Sequence, residues 1–62
     1  MAYILPQTTD RWKLMTYTAR AMNDNGFRYE VDKMYSEAYQ HKDNVVPICT
    51  KYLNMVNEKV GQ

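Results

Sequence analysis

Phe27-Arg28-Tyr29-Glu30-Val31-Asp32-Lys33-Met34-Tyr35-Ser36-Glu37-Ala38-Tyr39-Gln40-His41 is the stretch whose period decides the fold class. Phe27, Val31, Met34, Ala38 and His41 advance by four, three, four and three residues, the heptad-like stripe of one helix face. Tyr35 and Tyr39 widen that stripe on one side. Arg28 with Asp32 and Glu37 with His41 are four-residue pairs that support a helix. Residues 27–31 also alternate apolar and polar with period two, as a strand would. A lone short strand has no partner here, and the helical spacing continues unbroken, so the stretch reads as a helix over about 28–41.

Upstream stands Asn23-Asp24-Asn25-Gly26, where Gly26 can take the left-handed conformation that ends a helix at little cost. The helix it ends starts near residue 9. Thr8 or Thr9 is the expected cap, Asp10 falls in the first turn, and Pro6 limits extension upstream. Trp12, Leu14, Met15, Tyr17, Thr18, Ala19, Ala21 and Met22 cover an arc of roughly 220°, with Arg11 the one charge inside it. A surface helix needs a stripe of only ~100°, so the helix over 9–24 is expected either to lie centrally or to touch a second chain.

Downstream, His41-Lys42-Asp43-Asn44 is a second turn, with Asn44 a suitable cap and Pro47 tolerated in the first turn that follows. A third helix over 45–60 then places Val45, Val46, Ile48, Cys49, Tyr52, Leu53, Met55, Val56 and Val60 on one half of its circumference. Thr50, Lys51, Asn54, Asn57 and Glu58 face away. The expected architecture is all-α: one small helical domain over 1–62, a compact bundle of three short amphipathic helices with an extended arm at 1–7. Tyr3-Ile4-Leu5 of that arm should lie across an open edge of the bundle or pair with a partner. Met15, Met22, Val31, Met34, Ala38, Cys49, Tyr52, Leu53 and Val56 form the expected core.

The bulk numbers limit function. A chain of 62 residues buries only about 60% of its unfolded surface, and such domains usually add a staple. Cys49 is alone, so no disulfide closes within the chain, and Cys49 with His41 falls short of a structural zinc set. A partner is the staple that remains, and a homodimer is its commonest form. Hydrophobic residues make up 45% and charged ones 24%, so the composition is that of an ordinary globular domain. The formal net charge of +1 gives no broad attraction to nucleic acid or anionic membrane. Met1 to Leu5 is too short for a secretory leader, and no apolar run approaches the ~20 residues of a membrane span. The lone cysteine suits a reducing compartment, so the cytoplasm is expected.

No Gly-rich phosphate loop, zinc spacing or catalytic triad signature occurs, and no cofactor or small-molecule substrate is implied. Cys49 and His41 as nucleophile and base lack an orienting third group, and Cys49 sits on an apolar face where a structural thiol belongs. Glu37, His41 and Asp43 as metal ligands, or Glu30 and Glu37 as paired carboxylates, read more simply as solvated charge. Lys13, Thr16, Arg20 and Asn23 line one ridge beside Trp12, suited to phosphates and a stacked base. A helix-turn-helix reading with Gly26 as its turn fails, because Asp32 stands where that motif wants a buried aliphatic residue.

Six tyrosines exceed what a minimal core uses, and tyrosine suits surfaces that are half dry and half wet. The five methionines, Met1 included, fill gaps or form adaptable surface. The expected function is a non-enzymatic protein–protein interaction module, self-associating or binding another protein. Its expected contacts are Tyr3, Ile4, Leu5, Trp12, Leu14, Tyr17 and Tyr29. Size alone suggests an accessory or inhibitory protein of a phage or mobile element. The alternative is a small nucleic-acid-binding regulator using Lys13, Thr16, Arg20 and Asn23.

Overall fold

The computed structural model describes residues 2–41 and 43–61; Met1 and Lys42, which figured in the expectations above, lie outside the described residues. Helix α1 spans Arg11–Asp24, a 3-10 turn spans Arg28–Glu30, α2 spans Val31–Gln40 and α3 spans Val46–Val60. No strand occurs among the described residues. The alternation at 27–31 is resolved as the 3-10 turn, closed by the Glu30 N–H donating to the Phe27 carbonyl at 2.9 Å and running directly into α2.

Each helix end has a local cause. The cap of α1 is Asp10 rather than Thr8 or Thr9: its Oδ1 accepts from the N–H groups of Trp12 and Lys13 at 3.0 and 3.3 Å. A charged acceptor gains from the helix dipole as well as from the hydrogen bonds. Thr8 acts one step back, its Oγ1 accepting from the Asp10 N–H at 3.1 Å. At the other end Gly26 sits at φ +85°, and the Phe27 N–H closes back on the Met22 carbonyl at 2.8 Å. That is the six-residue ring of a Schellman end. Asn44 supplies Oδ1 to the Val46 N–H at 3.0 Å, opening α3 with Pro47 in its first turn.

Helix α1 packs mainly against α3, with α2 across both. Met15, Thr18 and Met22 of α1, Met34 and Ala38 of α2, and Cys49, Tyr52, Leu53 and Val56 of α3 meet in the interior. The Thr18 hydroxyl is satisfied there by donating to the Leu14 carbonyl at 2.8 Å. Val31, expected inside, is only partly buried and packs at the rim. Leu14, expected on the exposed remainder of the α1 arc, is buried. It joins the core cluster and lines a recess at one end of the bundle with Thr8, Thr9, Val45 and Val46.

The arm is bound to the bundle by backbone capture. The Asn57 side-chain amide accepts from the Tyr3 N–H at 2.7 Å and donates to the Tyr3 carbonyl at 3.0 Å. Asn57, read above as facing away from the apolar half of its helix, thus satisfies both backbone groups of one residue as a neighbouring strand would. The Tyr3 hydroxyl accepts from Asn25 Nδ2 at 2.9 Å, and the Ile4 N–H donates to the Tyr17 hydroxyl at 3.3 Å. Tyr3 and Tyr17 meet edge to face at 6.3 Å. The extended backbone alternates, so Tyr3 and Leu5 pack on the core while Ile4 is 78% exposed.

Two outcomes check this packing. Leu53→Ala removes a buried side chain at a cost of about 2–5 kcal/mol, against the 3–5 kcal/mol or so that a core of this size supplies. The variant should be largely unfolded at room temperature by circular dichroism; an unchanged melting temperature would contradict the facing of α3. Gly26→Ala places a Cβ at positive φ and 2.6 Å from Lys59 Nζ. It should lose about 1–2 kcal/mol in chemical denaturation, and a neutral or stabilising result would contradict the turn geometry.

Candidate functional site: a groove along the first helix

Residues three and four apart share a helix face, so Trp12, Lys13, Thr16, Tyr17 and Arg20 form the outer ridge of α1. The arm, held by Asn57 and Tyr17, runs beside that ridge. Between them lies an open groove of about 550 Å³ lined by Pro6, Thr8 and those five residues. Pro6, Trp12 and Tyr17 make its surface mainly apolar. Lys13 and Arg20 stand along it, and neither takes part in an ion pair among the described residues, where Lys51 with Glu37 is the one such pair.

The groove continues into an aromatic row. Trp12, 55% exposed, meets Tyr39 edge to face at 6.1 Å, and Tyr39 stacks on Tyr35 at 6.4 Å. Beside it the Arg11 Nη2 donates to the Ala38 carbonyl at 2.9 Å, tying the start of α1 to the end of α2. Tyr35 and Tyr39 were read only as the edge of a helical stripe. A signal for their contact did exist, because a hairpin that reverses at Asn25–Gly26 sets residue 12 opposite residue 39.

The expected contact residues separate. Trp12 and Tyr17 line the groove, Tyr3 and Leu5 are spent on holding the arm, and Leu14 is buried. Ile4 and Tyr29 are exposed, Tyr29 at 97%, but neither lines the groove. Of the ridge read as phosphate-binding, Lys13, Thr16 and Arg20 come together, whereas Asn23 lies beyond the groove. Pro6, expected only to limit α1 upstream, and Thr8, expected as a candidate cap, form the second wall.

The remaining titratable groups do structural work. Cys49 is fully buried, and burial pushes its thiol up, so it stays protonated and shielded, while His41 is exposed at the end of α2. No group of three His, Cys, Asp or Glu side chains that could hold a metal occurs among the described residues. Glu37 is engaged on both oxygens: Oε1 accepts from the Tyr52 hydroxyl at 2.8 Å, and Oε2 pairs with Lys51. These hydrogen bonds hold its carboxyl below the usual glutamate range. Burial, then the bond to Glu37, pushes the Tyr52 phenol up to about 12. No protein family matches this chain, and no curated protein or solved structure does.

The α2–α3 seam should therefore titrate from both sides. Glu37 has a lowered folded pKa, so its contribution is present above the unfolded value and declines as pH falls through and below about 4.5. Tyr52 has a raised one, so its contribution is complete below pH 10 and is lost between 10 and about 12. Melting temperature against pH should fall at both ends. Glu37→Gln should flatten the acid limb, and an acid limb identical to wild type would contradict the assignment.

Proposed function

We propose that this chain is a non-enzymatic protein-interaction module whose contact surface is the α1 groove and the Trp12–Tyr39–Tyr35 row beside it. One observation carries the reading: an apolar groove open to solvent holds the chain's one tryptophan half-exposed, flanked by two cations that make no ion pair among the described residues. Trp, Tyr and Arg are the residues most often found at the energetic centres of protein interfaces. The reading favours a different protein over a second copy. Leu14 is withdrawn into the core, and the arm already packs on the bundle. A two-fold pairing of α1 centred between Thr16 and Tyr17 also sets Lys13 of one copy opposite Arg20 of the other, so like charges meet. A reducing cytoplasm suits the unpaired Cys49, and size alone points to a phage or mobile-element accessory protein.

A second reading, a nucleic-acid-binding regulator, has one observation in its favour: Lys13, Thr16 and Arg20 share the groove with Trp12, which could stack on a base. Two phosphate contacts imply a slope of only about −1.4 in log affinity against log salt for a single strand. Retardation of oligonucleotides at low salt, lost in Lys13→Ala with Arg20→Ala, would favour this reading.

The main reading is tested by panning a random-peptide display library on the immobilised chain. Enriched clones should lose at least ~2 kcal/mol of binding to Trp12→Ala while retaining affinity for Tyr29→Ala, with both variants folded by circular dichroism. Clones indifferent to Trp12, or no enrichment, would count against it.

A further inference from the structure

We infer that the α1 groove takes an extended acidic segment of a partner protein, with two carboxylates three residues apart and proline or another apolar residue between them. The inference rests on the protein-binding reading above and names the chemistry of the occupant. Charge is the first argument. Lys13 and Arg20 both line the groove, no carboxylate does, and neither cation is paired among the described residues. Of the acids nearest in sequence, Asp10 has its Oδ1 committed to the first N–H groups of α1, and Asp24, four residues beyond Arg20, neither lines the groove nor makes an ion pair among the described residues. With a net charge of only +1, the molecule as a whole exerts little pull on an anion, so the attraction of this groove is local.

Spacing is the second argument. Lys13 and Arg20 are two helical turns apart, so their Cα atoms are separated by about 10.5 Å along one ridge. Three residues of polyproline II chain cover about 9.3 Å and return to the same side, because that helix repeats every three residues. A β-strand covers a similar length but turns residues i and i+3 to opposite sides. Carboxylates at i and i+3 of a polyproline II segment therefore reach both cations at once. The residues between them lie over Thr16 and against Pro6, Trp12 and Tyr17, an aromatic lining of the type that receives proline.

Lining is the third argument. A helix with carboxylates at i and i+7 would match the same spacing. However, grooves that take a helix receive an apolar face at i, i+3, i+4 and i+7, whereas Pro6, Trp12 and Tyr17 between two cations make the aromatic kind of lining that takes proline. A single-stranded nucleic acid also carries anions, yet it would meet only two cations here on a mainly apolar lining.

Trp12 is the only tryptophan, so its fluorescence reports the groove directly in the full chain. The probes are the peptide Ala-Asp-Pro-Pro-Asp-Pro-Ala, its Asn-Pro-Pro-Asn counterpart, an isomer with the aspartates two apart, a helical peptide with glutamates seven apart, and a twelve-nucleotide oligothymidine. The first peptide should give a saturable change, bind at least threefold more tightly than the neutral and misregistered peptides, and weaken with salt. Lys13→Ala and Arg20→Ala should each reduce its affinity by up to about fivefold, and together abolish the preference for aspartate, with circular dichroism unchanged. Equal affinity for the neutral peptide would overturn the inference while leaving the groove a peptide site. Tighter binding of the helical peptide would overturn the extended conformation. A response to oligothymidine alone would overturn both the inference and the function it rests on. No response to any probe overturns the inference, and the display selection then decides the broader reading by itself.

Discussion

The reversal at Asn25-Gly26-Phe27 is the junction on which the other contacts depend. Gly26 turns the chain at positive φ, and the Phe27 N–H closes the end of α1 on Met22. Lys59, near the end of α3, donates to the Asn25 carbonyl at 2.7 Å and lies over the Phe27 ring at 5.2 Å. A cation there meets the negative end of the α1 dipole as well as the ring face. Asn25 in turn donates to the Ala21 carbonyl and to the Tyr3 hydroxyl. One tight turn thus joins α1, α2, α3 and the arm, and it sets the register in which Trp12 meets Tyr39.

The arm staples this small bundle from within the chain. It adds Tyr3 and Leu5 to the edge of the core; Asn57 and Tyr17 satisfy backbone groups of Tyr3 and Ile4, and Asn25 donates to the Tyr3 hydroxyl. Methionines at 15, 22 and 34 fill the centre, where unbranched side chains adapt to three helices of unequal length. The tyrosines divide by position: Tyr3 and Tyr17 fasten the arm, Tyr52 links α3 to Glu37, and Tyr35 and Tyr39 extend the surface row. The excess of tyrosine therefore serves fastening as much as exposure.

The proposed contact surface and the stability of the fold share the same contacts. The groove exists only while the arm is clamped, because Pro6 and Thr8 form one of its walls. The Asn57 amide that captures Tyr3 consequently positions a surface it does not touch. Trp12 remains half-exposed although Tyr39 packs on it edge to face.

By itself the sequence determined what depends on local period and local chemistry. The stripe from Phe27 to Ala38, the glycine stop at 26 and the Asn44 cap place three helices to within two or three residues. The apolar faces identify Met15, Met22, Met34, Cys49 and Leu53 as interior. The ridge of Lys13, Thr16 and Arg20 was legible for the same reason, since residues on one helix face are related by rotation alone. Only the tertiary structure decided what depends on which faces meet. It buried Leu14 in the core, turned Asn57 into the clamp of the arm, and moved Tyr3 and Leu5 from candidate contacts to packing. It also joined Pro6 and Thr8 to the α1 ridge, and Tyr39 to Trp12. Helical periodicity says which side of a helix is apolar, but the neighbour that covers it is fixed by packing between residues up to 54 positions apart.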